Sequence, residues 1–161
     1  MDLDALQPTS PPLSAASAAE VAGAARTLGT RFPAGYGEFA QRFGSGAVGD
    51  IVRVYGPDRV VEMTHEWRER VREYWFWETE GTGVTREQLQ ARGVLVADTF
   101  NGDEVCFVDS APDRCVVLPR DSDNAVVVTG GMANVLTWLL ESGELVEPVT
   151  ALTFDPFPAA D

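Results

Sequence analysis

The sequence predicts an α+β domain, with a single antiparallel-rich sheet and helices packed mainly on one face. Between Gly93 and Gly130, four segments rich in β-branched residues follow one another, separated only by short clusters of Gly, Pro, Asn and Asp. Such short spacings favour hairpins, because parallel pairing needs a crossover of a dozen or more residues. Segments with helical periodicity lie before, between and after the strands, which completes the α+β pattern.

The chain has 161 residues, of which 45% are hydrophobic, so it is long enough for one domain with a sizeable core. We expect that domain to span residues 17–147. Residues 1–16 are interrupted by prolines, and we expect them to be disordered. Residues 148–161 are Pro-rich and acidic, and we expect them to form a loosely docked tail.

Two short helices are predicted ahead of the first strand. Ser17-Ala18-Ala19-Glu20 has the form of a capping box, in which the Ser hydroxyl and the Glu carboxylate bond each other's backbone amides. Gly29 can take the left-handed conformation that ends this helix. Pro33 marks the start of the second helix and Gly44-Ser45-Gly46 ends it. The buried stripe of the second helix is expected to consist of Tyr36, Phe39, Ala40 and Phe43.

One strand and two further helices are predicted before the meander. Ile51 to Tyr55 alternates as a strand does and is followed by Gly56-Pro57. Thr64 is a suitable N-cap for a helix from His65 to about Glu78. Thr85-Arg86-Glu87-Gln88 is a second capping box, and Gly93 ends the helix that it starts. The long helix would carry an apolar face of Trp67, Val71, Tyr74 and Trp75.

The four strands of the meander are predicted at residues 94–97, 104–108, 114–118 and 125–128. Asn101-Gly102-Asp103 forms the turn between the first two. A final helix follows Gly130-Gly131, and Gly143 lies at its C-terminal cap position. Its core stripe is expected to consist of Met132, Val135, Leu136, Leu139 and Leu140.

The charge of the chain argues against nucleic acid as a partner and favours a basic protein. Its formal net charge is −13, from 25 acidic and 12 basic residues. Nucleic acid is excluded because phosphate would be repelled by most of the surface. A negative field would instead speed encounter with a basic protein. General solubility is the alternative explanation of the charge. After Arg120 the acidic residues are Asp121, Asp123, Glu141, Glu144, Glu147, Asp155 and Asp161, with no base among them.

The sequence favours a cytoplasmic protein with no membrane partner. No apolar run approaches the roughly 20 residues needed to span a bilayer. The start of the chain lacks the basic residues and the continuous apolar run of a secretory signal. Cys106 and Cys115 are accordingly interpreted as reduced core residues. A disulfide is the alternative, since the two would lie close together if their strands pair symmetrically.

No motif predicts catalysis, a metal or a cofactor. His65 is the only histidine, so a nucleophilic triad would depend on it alone, and it is expected at an exposed helix start. Two cysteines are too few for a structural zinc site. The glycines at 44, 46 and 49 follow a helix and precede a strand, which is the reverse of a dinucleotide-binding fingerprint. We therefore expect that the protein is not an enzyme and holds no cofactor.

Carboxylates gather at the predicted strand ends, and three interpretations of them stay open. Turn chemistry and solvation are the first, a partner-binding rim the second, and a metal or acid–base site the third. The whole group comprises Asp98, Asp103, Glu104, Asp109, Asp113, Asp121 and Asp123. The partner-binding interpretation selects Asp98, Asp103, Glu104, Asp121 and Asp123, with Trp75 or Trp77 as an aromatic anchor.

The run Tyr74-Trp75-Phe76-Trp77 would point all round a helix, so at least one ring is expected to be exposed or covered by another segment. The covering segment would be the loop at residues 81–83 or the tail with Phe154 and Phe157. A protein-binding hot spot is the alternative.

A family resemblance rests on three parts of the chain. Residues 32–39 have the form Leu/Phe-Pro-x-x-Tyr-x-x-Phe at a helix start. The Asn101-Gly102-Asp103 turn precedes a strand with Cys106 and Phe107, and the closing helix is centred on Leu136. In this order the parts resemble the SMI1/KNR4 (SUKH) superfamily over roughly residues 18–143. The chain departs from the pattern at Gly44-Ser45-Gly46, where many relatives have an Asn-Gly pair.

The resemblance implies the α+β fold described above and an intracellular protein that binds other proteins. Many bacterial members are immunity proteins that neutralise a cognate toxin, often a nuclease, by direct binding. The resemblance thus implies an immunity protein whose partner is a basic toxin domain. A regulatory or scaffolding interaction module, as among the fungal members, is the alternative, and an enzyme with a carboxylate site is the third. The oligomeric state stays open.

Overall fold

The computed structural model describes residues 2–158, which form five α-helices and eight strands after a short 3-10 helix at Leu3–Ala5. The helices are α1 (Ala18–Leu28), α2 (Tyr36–Arg42), α3 (Pro57–Glu73), α4 (Arg86–Arg92) and α5 (Met132–Glu141). The strands are β1 (Gln7–Pro8), β2 (Gly46–Val48), β3 (Val52–Val54), β4 (Val94–Thr99), β5 (Glu104–Phe107), β6 (Arg114–Leu118), β7 (Val126–Thr129) and β8 (Thr153–Pro156).

The eight strands of residues 2–158 form one sheet in the order β1-β8-β2-β3-β4-β5-β6-β7. Neighbouring strands are antiparallel, except that β1 and β8 run parallel. The predicted α+β class with a single antiparallel-rich sheet is therefore confirmed. The sheet joins a meander of four sequential strands to a second half that brings together three distant parts of the chain.

Helices α1, α4 and α5 begin where the sequence predicts, whereas α2 begins at Tyr36, three residues after the predicted start at Pro33. Ser17 and Glu20 form a reciprocal capping box at the start of α1, and Thr85 and Gln88 form another at the start of α4. Gly29 ends α1 in the left-handed region, at φ 62°. The expected stripe of α2 and the residue after it is buried, and so is the stripe of α5.

The long helix differs from the prediction. The expected helix from His65 to about Glu78 is wrong at both ends, because α3 runs Pro57–Glu73. Pro57 occupies the first helical position, where the missing N–H has no helical partner to lose. Thr64 is consequently no cap: it is buried inside α3, and its hydroxyl accepts a hydrogen bond from Leu95 N at 3.1 Å. His65 is exposed within the helix and lies 3.7 Å from the Glu69 carboxylate.

The meander is confirmed, with β4 to β7 paired in sequence order. Its first turn is closed by a bond from Thr99 N–H to Asp103 O at 2.8 Å, and Gly102 there has φ +99°. In the next hairpin Cys106 pairs with Val116, so Cys115 points to the opposite face of the sheet. Both cysteines are buried and free, as expected.

The two ends of the chain differ from the expected boundaries. Within residues 2–16, expected to be disordered, Leu6 is buried and β1 pairs with β8. Within residues 148–158, expected to be a loose tail, β8 lies between β1 and β2. Phe154 explains the difference, because its fully buried ring packs against the rings of Phe39 and Phe43. Met1 and residues 159–161, which belong to the same two predictions, lie outside the described residues.

The sheet has two unlike faces. Strand alternation places Phe107 and Phe154 on the first face, which is covered by α2 and α5. The second face carries Arg53 and Asp98. Over β5 and β6 this second face is covered by Trp67 of α3 and by the segment at residues 74–84. The predicted acidic site and the aromatic run therefore lie on or beside the second face.

Candidate protein-binding site

Asp103 belongs to the interior of the fold. It is only 4% exposed. Its carboxylate accepts hydrogen bonds from the Thr99 hydroxyl at 2.6 Å and from Arg120 N at 3.0 Å. These bonds fix the turn between β4 and β5 and satisfy the buried charge. The structure therefore contradicts the expectation that Asp103 lies on a partner-binding rim, and it supports the turn-chemistry interpretation for this residue.

Asp98 and Glu104 face each other across β4 and β5, and each is paired with an arginine. Arg53 donates two hydrogen bonds to Asp98, at 2.7 and 2.5 Å. Arg70 and the Trp67 indole N–H both bond Glu104. Burial raises the pKa of Glu104 above its ordinary value, and Arg70 and Trp67 partly offset that rise. Little of this pair's charge is left for a partner.

Asp121 and Asp123 are exposed, as the partner-binding interpretation requires. They lie in the loop between β6 and β7. None of the six ion pairs found within residues 2–158 includes Asp121, Asp123 or the adjacent Glu78. Arg120, next in sequence, directs its guanidinium to Asn101 O at 3.1 Å. The free acidic charge predicted for the rim is thus concentrated in this loop.

The aromatic run lies beyond the end of α3, and its four rings differ in exposure. Trp77 is buried, and its indole N–H donates to Pro119 O at 2.7 Å. Trp75 is half-buried and donates to Trp77 O at 2.6 Å. Tyr74 and Phe76 point outwards, with 70% and 51% of their surfaces exposed. The predicted anchors are therefore mainly structural, and their neighbours are the accessible rings.

The exposed members of both sets come together in one place. Glu78 N–H donates to Asp123 O at 2.5 Å, and Ala125 N–H donates to Glu78 O at 3.0 Å. These bonds tie the aromatic run to the loop that carries Asp121. The ring of Phe76 lies 4.2 Å from that of the buried Trp77, which holds it in position. We call the surface formed by Tyr74, Phe76, Glu78, Asp121 and Asp123 the acidic–aromatic patch.

Sequence reasoning missed Tyr74, Phe76 and Glu78 because it assigned them to a helix. Tyr74, Phe76 and Glu78 are exposed, whereas Trp77 is buried and Trp75 is half-buried. The signal was present in the composition, since consecutive aromatic residues favour an extended conformation over a helix.

A second concave surface lies at the other end of the second face, around the Arg53–Asp98 pair. It is lined by Arg53, Tyr55, Arg59, Met63, Asp98 and Phe157. Burial raises the pKa of Tyr55, and Asp98 adds to that rise, so the phenol stays protonated at neutral pH. Arg53 also lies over the ring of Phe100, with its guanidinium carbon 5.0 Å from the ring centroid. Both arginines on this surface form ion pairs, Arg53 with Asp98 and Arg59 with Glu62.

The cysteines have the properties of core residues. Burial raises the pKa of Cys115 to about 12 and that of Cys106 well above its ordinary value. Both are therefore thiols at neutral pH and poor nucleophiles. Among residues 2–158, no three His, Cys, Asp or Glu side chains are grouped as metal ligands would be. None of the helices in that range is both long and apolar enough to cross a membrane.

No protein-family model matches the chain, and no curated protein matches it. The assignment of the acidic–aromatic patch therefore depends on its own chemistry.

Proposed function

We propose that the protein is a cytoplasmic protein-binding domain that neutralises a basic toxin domain by direct binding through the acidic–aromatic patch. The observation that carries this proposal is the juxtaposition of two exposed rings with three carboxylates that have no ion-pair partner within residues 2–158. Exposed aromatic residues supply binding energy at the centre of protein interfaces. Carboxylates around them select a basic partner.

The net charge of −13 supports the same class of partner, since it repels nucleic acid and accelerates encounter with a cationic protein. The choice of a toxin among basic proteins comes from the SMI1/KNR4 resemblance. The α+β architecture is compatible with that choice. A nuclease toxin fits the electrostatics well, because its active surface must itself be basic to bind phosphate.

The test is co-expression with the toxin domain encoded in the neighbouring gene. Wild-type protein should rescue growth. The triple variant Glu78→Lys, Asp121→Lys and Asp123→Lys should lose the rescue while it remains folded. A matched control is Glu38→Lys, Glu66→Lys and Glu144→Lys, which makes the same change of charge at exposed acidic positions outside the patch. Loss of rescue in both variants would mean that only overall charge matters.

Binding kinetics with the purified toxin domain give a second readout. Long-range attraction is screened over a Debye length of about 8 Å at physiological salt, so association should slow as salt rises while dissociation changes less. Phe76→Ala should mainly accelerate dissociation, because it removes a short-range contact. Binding that survives the patch triple variant unchanged would overturn the proposed interface. Binding without rescue of growth would favour a regulatory or scaffolding module.

A further inference from the structure

Beyond the bridge between Glu78 and Asn124, the outer edge of β7 has no neighbouring strand within residues 2–158. This strand is the last of the sheet on its side. Gly130 N–H donates inwards to Asp113 O, beside β6, at 2.8 Å, whereas Ala125 N–H donates outwards to Glu78 O. Backbone groups of successive residues in a strand point to alternate sides. The backbone N–H and C=O groups of Val127 and Thr129 therefore point outwards, as those of Ala125 do.

Four outward groups are available to a further strand: Ala125 O, Val127 N–H, Val127 O and Thr129 N–H. Thr129 O is already capped by the Asn134 amide at 3.0 Å. Within the described part of the chain, no group bonds the outward N–H and C=O of Val127. The strand has no proline and no charged side chain, which are the usual protections of an exposed edge. Its three valines are only partly buried.

We propose that the basic partner adds an extended segment to the free edge of β7, so that its backbone bonds Val127 and Thr129 while its basic side chains reach Glu78 and Asp123. This inference rests on the proposed function and specifies how that binding occurs. Strand addition derives affinity from backbone bonds and specificity from alternate side chains. Glu78 already bonds the same edge at residues 123–125, so a strand added at Val127 would lie beside the acidic–aromatic patch.

Charge favours a basic segment over a second copy of this chain. Asp113 lies at the far end of β7, next to Gly130, and is exposed. A two-fold antiparallel pairing of two β7 edges would bring Asp113 of one copy towards Asp123 and Glu78 of the other. Like charges placed opposite each other in a sheet are destabilising. A partner strand with basic residues at its ends would meet carboxylates of opposite sign instead.

The test uses Val127→Pro against Val127→Ala, with the purified toxin domain of the neighbouring gene as the probe. Proline removes the outward N–H and is tolerated where that N–H faces solvent on an edge strand. Alanine keeps the N–H and removes side-chain atoms. We expect Val127→Pro to weaken binding at least about tenfold and Val127→Ala to change it much less, since tenfold corresponds to roughly 1.4 kcal/mol, the scale of one or two lost hydrogen bonds.

Amide hydrogen exchange tests the same inference without a substitution. In the free protein Val127 N–H should exchange rapidly while the inward Val126 and Val128 amides are protected, and the complex should protect Val127 as well. If Val127→Pro binds like Val127→Ala, or if Val127 still exchanges rapidly in the complex, strand addition is overturned. The proposed function would survive that result if the patch triple variant still loses binding. Protection of Val127 in the free protein that grows with protein concentration would show that a second copy occupies the edge, which also overturns the inference. A wild-type protein that does not bind the toxin domain would overturn both.

Discussion

Strands β4 to β7 come from one continuous stretch, residues 94–129, whereas β1, β8, β2 and β3 come from residues 7–8, 153–156, 46–48 and 52–54. The first group is a meander whose strands are joined by short turns. The second group is completed by β8, which reaches β2 across about a hundred intervening residues. The meander is therefore specified by local patterns, and the terminal half by a few long-range apolar contacts.

The two halves also present different surfaces. The terminal half holds the Arg53–Asp98 ion pair, and its outer edge is the short strand β1, which contains Pro8. The meander ends in the unprotected edge of β7, beside carboxylates that form no ion pair within residues 2–158. Proline at the first edge discourages further pairing. The proposed partner-binding surface therefore lies at the β7 end of the sheet, and the β1 end contributes the buried ring of Phe154 to the core.

The largest effect is expected from Phe154→Ala, which should destabilise the fold by about 3–5 kcal/mol, the range for a buried phenylalanine. Its ring is fully buried and packs against Phe39 and Phe43. Denaturant unfolding measures the change, and Asp155→Asn on the same strand is the exposed control. Equal stability of the two variants would show that β8 contributes nothing to the core, and the distinction between the halves would fail.

Leu139→Ala comes next, with an expected loss of about 2–5 kcal/mol. Leu139 is buried in α5, a helix that contacts both β3 and β7. The loss should therefore appear as one cooperative transition with no separate melting of either half. The exposed control, Glu141→Ala, should stay within about 0.5 kcal/mol of wild type. Two resolved transitions in Leu139→Ala would mean that α5 does not couple the halves.

Asp103→Ala tests the difference between the buried carboxylate of Asp103 and the exposed carboxylate of Asp121. Its carboxylate holds the Thr99 hydroxyl and Arg120 N in a buried turn, so the substitution should cost about 1–3 kcal/mol. The affinity of the folded fraction for the proposed basic partner should be unchanged. Asp121→Ala should show the reverse, with stability close to wild type and weaker binding. An Asp103→Ala protein with normal stability and weak binding would show that Asp103 contributes to partner binding and not to the turn.

The smallest effect concerns pH. Because burial raises the folded-state pKa of Glu104, the folded protein binds a proton more readily than the unfolded chain does. The contribution of Glu104 to stability is therefore fully present below the unfolded pKa and declines as pH rises through the folded one. Relative to Glu104→Gln, wild type should lose stability over that interval. A difference between the two proteins that does not vary with pH would contradict the raised pKa.

The success of the sequence-based prediction also differs between the meander and the terminal half of the sheet. The capping boxes, the meander and the α5 stripe depend on residues that lie close together in the chain, and all were predictable. The strands β1, β2 and β8 were not, because each is short and none carries a period of its own. Gly46 and Pro156 are even typical of loops. Their strand conformation is imposed by Phe154, whose core position depends on side chains distant in sequence.

The kind of candidate site was predictable from the sequence, but the residues that form it were not. Net charge and the aromatic run indicated an acidic surface with aromatic residues. Which carboxylates stay free depends on where Arg53 and Arg70 reach, and those are contacts between distant segments. Which rings are exposed depends on where α3 ends. Because α3 ends at Glu73 and not at Glu78, Tyr74 is exposed, although it was expected on the buried face with Trp67 and Val71.

The place of β8 between β1 and β2 has a consequence for synthesis of the chain on the ribosome. Residues 153–156 are translated after every other strand, yet β8 joins β1 to the rest of the sheet. At about 5–20 residues per second, roughly 5–20 s pass between translation of β3 and of β8. Throughout that interval Phe39 and Phe43 lack the ring that covers them. A nascent chain is thus exposed to chaperones, proteases and aggregation at the apolar surface that β8 later covers.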